Sequence, residues 1–276
     1  MIKFEHTIFA LPFAYLGMAL GAGGLPSFSA WLWITCAMVG ARSYAMGLNR
    51  LFDRSIDKKN PRTASRALPA GLITVKETMA LLAASLLLFF TAVFMLPPLC
   101  HSLWPAVLIP MTFYSLTKRF THLCHIVLGL CLGLAPLGSW VATAGTLPPP
   151  GIYFLGLGVL CWTAGFDILY SCQDYRFDKQ EGLHSIPVRF GLHTSLRIVK
   201  ALHAAAIAFF FLLGISFSLG IVFYAGMGLV AFFLWYENHL VSPDDLSKIN
   251  VSFFTLNGLV SIFTFIFTFI SLVFNL

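Results

Sequence analysis

The 276-residue sequence is poor in charge: Asp, Glu, Lys and Arg make up 10% of it, where soluble domains average about 25%. With 58% hydrophobic residues and a mean hydropathy of +0.85, it has too few polar groups to cover a water-exposed surface. A soluble enzyme is excluded. The net charge of +6 comes with no basic patch interleaved with aromatics, so nucleic acid is excluded as a partner. No two of the cysteines (Cys36, Cys100, Cys124, Cys131, Cys161 and Cys172) form a C-x-x-C pair. Neither a metal knuckle nor a disulfide framework is indicated, and they read as small buried hydrophobes. The 8 histidines are scattered, with no repeating i, i+4 pair; they read as satisfied or interfacial residues, not as haem or zinc ligands. A clear A-x-A cleavage site is missing near the N-terminus, and Glu5 and His6 precede the apolar run. That run is therefore expected to be a retained first span.

What the sequence has in abundance is apolar windows, at 7–24, 31–52, 77–97, 99–116, 124–144, 151–172, 196–216, 219–238 and 251–274. Each is near the ~20 residues that a helix needs to cross a bilayer core. The expected fold class is all-α, a polytopic membrane bundle of about nine transmembrane helices. It forms one integral-membrane domain, 1–276, with pseudo-repeat halves of roughly 1–120 and 121–276. The divisions at Pro97–Pro98 and Ser218–Gly220 rest on small drops in apolar character; an eight-span count would put both chain ends on one side. Every Lys and Arg lies at the N-terminus, late in the second span, or in the connections 50–76, 117–123, 173–200 and 237–250. The opposite connections, Gly21–Ala30, Pro97–Ser102, Gly145–Gly151 and Phe217–Gly220, carry no formal charge. Positive residues mark the cytoplasmic side. The charged connections are thus expected in the cytoplasm, with the N-terminus inside and the C-terminus outside.

Two of those helix ends carry most of the interest. Asn49, Asp53 and Asp57 are four residues apart, drifting only about 40° per step on one continuous helix, and Arg42 sits about 20° behind Asn49. Asp167, Asp174 and Asp178 share a helix side by the same arithmetic. The ends echo each other: Asp57 precedes Lys58 and then Leu68-Pro-Ala-Gly71, while Asp178 precedes Lys179 and then Ile186-Pro-Val-Arg-Phe-Gly191. In a chain with 11 acidic residues, ionisable groups near membrane depth tend to mark function. Facing carboxylate pairs suit Mg²⁺, which takes oxygen ligands together with substrate phosphate oxygens. The cations Arg54, Lys58, Arg62, Arg66, Lys118 and Arg189 suit a diphosphate. Together they point to a membrane site that ionises a lipid diphosphate.

The motif Asn49-x-x-x-Asp53-x-x-x-Asp57, followed by Asp174-x-x-x-Asp178, resembles the UbiA superfamily of intramembrane prenyltransferases. The stretch Asp57-Lys-Lys-Asn-Pro-Arg-Thr-Ala-Ser-Arg66-Ala-Leu-Pro-Ala-Gly71 is similar to the segment after that family's first motif. Tyr114-Ser-Leu-Thr-Lys118 resembles its Y-x-x-x-K element, and Ser185-Ile-Pro-Val-Arg-Phe-Gly191 its second loop. The resemblance runs from the Phe4–Pro12 stretch to the ninth span. It departs at Ala67, where many members have Pro, which bears on loop geometry and not on chemistry. It is closest to bacterial 4-hydroxybenzoate polyprenyltransferases and to relatives that prenylate a dihydroxynaphthoate in a menaquinone route. The resemblance implies a central cavity with a lateral opening for a prenyl tail. It implies Mg²⁺ held through Asn49, Asp53, Asp174 and Asp178, with Asp57 supporting. Lys118, Tyr114 and Arg66 would contact the diphosphate, with Lys58 and Arg54 nearby, and Arg42 would bind an acceptor carboxylate.

The implied reaction is Mg²⁺-dependent transfer of a polyprenyl group from a polyprenyl diphosphate to a ring carbon of a small aromatic acid, in ubiquinone or menaquinone biosynthesis. Asp167 is a candidate base or acceptor contact, with a structural hydrogen bond as the alternative. A few phenylalanines of the second, fourth and fifth spans are expected to line the tail's tunnel. Residues 237–250, with Glu237, Asp244 and Asp245, are expected to form a solvated loop. The expected setting is the bacterial inner membrane, with the active site facing the cytoplasm, membrane lipid around it and no obligate protein partner. A transporter of cations or organic anions would also use intramembrane carboxylates, but would carry polar or broken helices near the midplane. A terpene cyclase would need the diphosphate site without an acceptor pocket.

Overall fold

A computed structural model describes residues 7–276, the side chains of Thr7 and Ile8 excepted. Lys3, Phe4, Glu5 and His6, which enter the readings of the N-terminus above, lie outside the described residues. The described chain is built from helices: α1 (Thr7–Ala22), α2 (Phe28–Phe52), the short α3 (Arg54–Lys59), α4 (Val75–Phe94), α5 (Pro98–Thr117), α6 (Cys124–Ala144) and α7 (Pro150–Ser171). There follow the short α8 (Tyr175–Gln180), α9 (Ile186–Ser216), α10 (Ile221–Leu240), the single turn α11 (Ile249–Val251), a π-helical stretch Ser252–Leu256 and α12 (Asn257–Phe274).

Among the described residues seven segments are long and apolar enough to cross a membrane; α1 is a shorter apolar helix, and α2 has the length but carries Arg42 and Arg50. Among the described residues this gives nine long helical segments. Both uncertain divisions are real breaks, at Met95–Pro97 and Phe217–Gly220. The carbonyl oxygen of Leu276 accepts the Ser271 hydroxyl, and Leu276 lies against Gly220, in one of the uncharged connections. The C-terminus therefore sits at the uncharged end, as an odd number of spans requires.

Local chemistry explains where the helices start. Ser27 and Ser185 cap α2 and α9. Thr74 and Glu77 cap α4 reciprocally: the Thr74 N–H donates to Glu77 Oε2 at 2.7 Å, and the Glu77 N–H donates to Thr74 Oγ1 at 3.2 Å. Small residues then let backbones meet, as in membrane helix packing generally. A Cβ on Gly133 of α6 would lie 2.6 Å from the Gly156 carbonyl oxygen of α7. Trp162 is fully buried, with Phe9, Phe13 and Phe166 around it. Leu87, Phe113, Ile215 and Phe232 are exposed on the outside, the position of lipid in a membrane bundle.

One sequence expectation fails here. Glu237 does not belong to a solvated loop: it is 0% exposed in the last turn of α10. Its Oε1 accepts Ser252 Oγ at 2.8 Å and Asn257 Nδ2 at 2.7 Å, and Asn257 Oδ1 in turn accepts Trp162 Nε1 at 2.6 Å. The chain returns across this carboxylate through the π-helical stretch, so a distant segment buries a charge that by itself argues for solvent.

Candidate functional site

Neither acidic motif lies on one unbroken helix. Asp53 (φ −86°, ψ 5°) separates α2 from α3, and Asp174 (φ −92°, ψ 1°) closes a 3₁₀ turn, Cys172–Asp174, before α8. In the first motif the backbone ladder survives the bend, with Asp53 N–H to Asn49 O at 2.9 Å and Asp57 N–H to Asp53 O at 2.7 Å. The fourfold spacing therefore still keeps Asn49, Asp53 and Asp57 together. The echo extends further: each bend precedes a six-residue helix. Gly71 (φ 74°) and Gly191 (φ 78°) both take the left-handed conformation, which glycine adopts without steric cost. At Gly191 this kinks α9 near its start.

Asp53 and Asp57 are 2% and 4% exposed. Asp53 Oδ2 lies 2.8 Å from Lys118 Nζ and accepts Asn49 Nδ2 at 3.0 Å; Asn49 Nδ2 also donates to Ser115 Oγ at 3.2 Å. Asp57 accepts Arg66 Nη1 on both oxygens, at 2.7 and 2.9 Å, with Arg50 Nη1 at 3.9 Å. Asp174 accepts Arg62 at both oxygens, 2.9 and 2.5 Å, and Asn60 Nδ2 at 3.1 Å. Arg62 also donates to the Tyr170 hydroxyl at 3.0 Å and lies over that ring. Burial works against the Arg62 charge, yet the hydrogen bond and charge of Asp174 hold its pKa above the usual value. Asp178 makes no ion pair among the described residues, but stands within the electrostatic reach of Asp174, Lys118 and Arg62. The loop after α3 thus crosses to the second motif, and the His184 N–H donates to Lys118 O at 2.7 Å. Both motifs and Lys118 converge at one end of the bundle.

Beneath them lies a cavity of about 550 Å³. Its polar lining includes Arg42, Asn49, Arg50, Tyr114, Asp167 and Tyr170; the rest is mainly apolar. The phenylalanines that line it are Phe9, Phe89, Phe166 and Phe253, from α1, α4, α7 and the π-helical stretch. They do not come from the expected second, fourth and fifth spans, which do line the hollow (α2, α5 and α6) but through other side chains, such as Met38, Val107 and Leu132. Asp167 is held by His125 on α6, with Nδ1 to Oδ2 at 2.6 Å. Arg54 and Lys58 are exposed on α3, as is Arg189 near the start of α9. Sequence reasoning did not single out Arg50, Asn60, Ser115, Arg119, His125 or Tyr170. Arg50 and Asn60 adjoin the first motif and Arg119 follows Lys118, a proximity signal; His125 had none.

The donors expected for a metal, Asn49, Asp53, Asp174 and Asp178, are all oxygen ligands of the kind Mg²⁺ takes. Asp53 Oδ1 is buried without a hydrogen-bond partner, Arg119 Nη2 standing 3.7 Å away. The residues fit a hard cation by donor chemistry, although among the described residues no three His, Cys, Asp or Glu side chains are gathered tightly enough to hold one.

The sequence profile of the UbiA prenyltransferase family matches residues 10–272. The chain belongs to this family. It is 32% identical over 212 residues to the mitochondrial 4-hydroxybenzoate polyprenyltransferase of Arabidopsis thaliana, covering 77% of this chain but only about half, 52%, of that protein. It is 31% identical over 220 residues to the 4-hydroxybenzoate octaprenyltransferase of Shewanella loihica, covering 78% and 76% of the two chains. The apo structure of a UbiA homologue from Aeropyrum pernix K1 superposes with a TM-score of 0.86 at 33% identity, over 96% and 97% of the two chains. A UbiA homologue from Archaeoglobus fulgidus, bound to DMAPP and Mg²⁺, shares the fold with a TM-score of 0.69 at 20% identity, over 94% and 95%. This UbiA-family chain is an integral membrane prenyltransferase.

Proposed function

We propose that this UbiA-family enzyme transfers a polyprenyl group from its diphosphate to a ring carbon of a hydroxybenzoate-type acid, in quinone biosynthesis. The observation that carries the reading is the juxtaposition of an apolar cavity, a guanidinium in its lining at Arg42, and a cluster of carboxylates and cations at its mouth. Relatives named as 4-hydroxybenzoate prenyltransferases support it. The cationic connections argue for a mouth facing the cytoplasm of a bacterial inner membrane.

In this reading Lys118, Tyr114 and Arg66 bind the diphosphate, with Arg54 and Lys58 on α3 at the approach to the site. Fixed cations aimed at the leaving oxygens stabilise the charge that develops as the allylic C–O bond breaks. Mg²⁺, held by Asn49, Asp53, Asp174 and Asp178 with Asp57 supporting, would supply Lewis-acid neutralisation of the diphosphate. Arg42 takes the acceptor carboxylate through its planar fork and turns the electron-rich ring toward the allylic carbon. The apolar walls exclude water, so the allylic cation meets carbon and not solvent. The test incubates purified protein, Mg²⁺ and a polyprenyl diphosphate with 4-hydroxybenzoate and, separately, with a dihydroxynaphthoate. Mass spectrometry of the lipid fraction is expected to show prenylated hydroxybenzoate, and its absence alongside prenylated naphthoate would reassign the acceptor.

A further inference from the structure

The ring carbon that accepts the prenyl group must also give up its proton. The geometry points to Asp167 as the acceptor of that proton and to His125 as the residue that positions it, an inference resting on the aromatic prenylation proposed above.

Three observations carry it. Asp167 stands seven residues before Asp174 on α7, as Arg42 stands seven residues before Asn49 on α2. Each is about 10 Å along its helix from the acidic motif, and both line the cavity. An acceptor whose carboxylate pairs with Arg42 therefore has its ring at the depth of Asp167, one layer below the diphosphate. The second observation is accessibility: the Asp167 side chain is 26% exposed where His125 is 4% exposed. The carboxylate opens to the hollow and the imidazole does not.

The third is the hydrogen-bond order. The backbone N–H of Ile186, in the first turn of α9, approaches His125 Nε2 at 3.4 Å. That N–H only donates, so Nε2 accepts, and the ring hydrogen sits on Nδ1, where it is donated to Asp167 Oδ2 at 2.6 Å. The orientation of the imidazole is thus set by a helix N-terminus. Oδ2 is occupied, and Oδ1 is the oxygen left to take a proton.

The step balances as follows. Ring π electrons form the new C–C bond as the allylic C–O pair leaves with the diphosphate. The ring carbon, now tetrahedral and cationic, loses H⁺ to Asp167 Oδ1, and the C–H electron pair restores aromaticity. His125 keeps its own proton and holds the carboxylate in place. The same pair also joins α6 to α7, so the test has to move something that a purely architectural bond would not.

Asp167→Asn, His125→Leu and His125→Gln are purified in detergent and assayed for prenylated product. The acceptor is used in parallel with hydrogen and with deuterium at the ring position that becomes prenylated. The Asp167→Asn exchange is expected to lower kcat by about 10²-fold or more. It should also expose a primary deuterium isotope effect that the parent enzyme lacks, with little change in the KM for the prenyl diphosphate. His125→Leu should show the same isotope effect with a smaller loss, and His125→Gln, which still donates a hydrogen bond, should recover most of the rate. Parental rates without an isotope effect in Asp167→Asn would overturn the assignment. So would a loss confined to the acceptor's KM, since that marks a binding contact. If the parent enzyme prenylates neither acid, the proposed function falls and this inference with it, an outcome separate from the other two.

Discussion

Lys118 Nζ and Asp53 Oδ2 lie 2.8 Å apart, joining the end of α5 to the bend between α2 and α3. The lysine is the counter-ion of a nearly buried carboxylate, and in the proposed reaction it also meets the diphosphate. Replacing Lys118 with Met should therefore lower kcat by about 10²-fold, the usual scale for one preorganised electrostatic donor. Lys118→Arg should retain more activity because Asp53 keeps a partner. Single-turnover release of pyrophosphate is the measurement.

Arg42 is expected to act on the acceptor alone. Arg42→Gln should cut kcat/KM for 4-hydroxybenzoate by about 10- to 100-fold, the range for losing a charged hydrogen-bond pair. The KM for the prenyl diphosphate should stay put. Titrating each substrate separately checks this, and an equal loss on both would refute a role confined to the acceptor.

Chelation should stop turnover, and added Mg²⁺ should restore it. Asp53→Ala and Asp174→Ala should remain inactive at any Mg²⁺ concentration, because the donors themselves are gone. Their thermal melting in detergent separates lost chemistry from lost folding.

Glu237 offers a stability test far from the reaction. Glu237→Ala leaves Ser252 Oγ without its acceptor and Asn257 Nδ2 with only the Ser252 carbonyl oxygen at 3.2 Å, a loss of about 1–3 kcal/mol that should lower the melting temperature. Glu237→Gln keeps a carbonyl oxygen at the same place and should melt closer to the parent.

Much of this was readable before any coordinates. Apolar windows and the one-sided placement of Lys and Arg give the span count, the position of the C-terminus and the end at which the site lies, because lipid and membrane orientation act on composition directly. Asp53, Asp57, Asp174 and Asp178 stand out because carboxylates are rare in such a chain, and Asn49 because it precedes Asp53 at the same fourfold spacing. The bends at Asp53 and Asp174 were hidden, since a fourfold repeat looks the same on a straight helix and on a kinked one. The partner of Asp167 was hidden as well. His125 is 42 residues away on a neighbouring helix, and no local pattern records which helices become neighbours. Glu237 misled for a related reason: its charge argued for solvent, and only a distant Ser–Asn pair makes its burial tolerable.

The bends have a mechanical corollary. Each splits its motif into a portion anchored in the bundle and a portion carried by a six-residue helix outside it. An inserted residue after Asp53 would swing Asp57 by about 100° away from Arg50 of α2, yet leave Asn49 and Asp53 where they are. The two halves of the motif are free to be retuned separately, so the outer helix can be reshaped for a different head group while the inner pair stays in register.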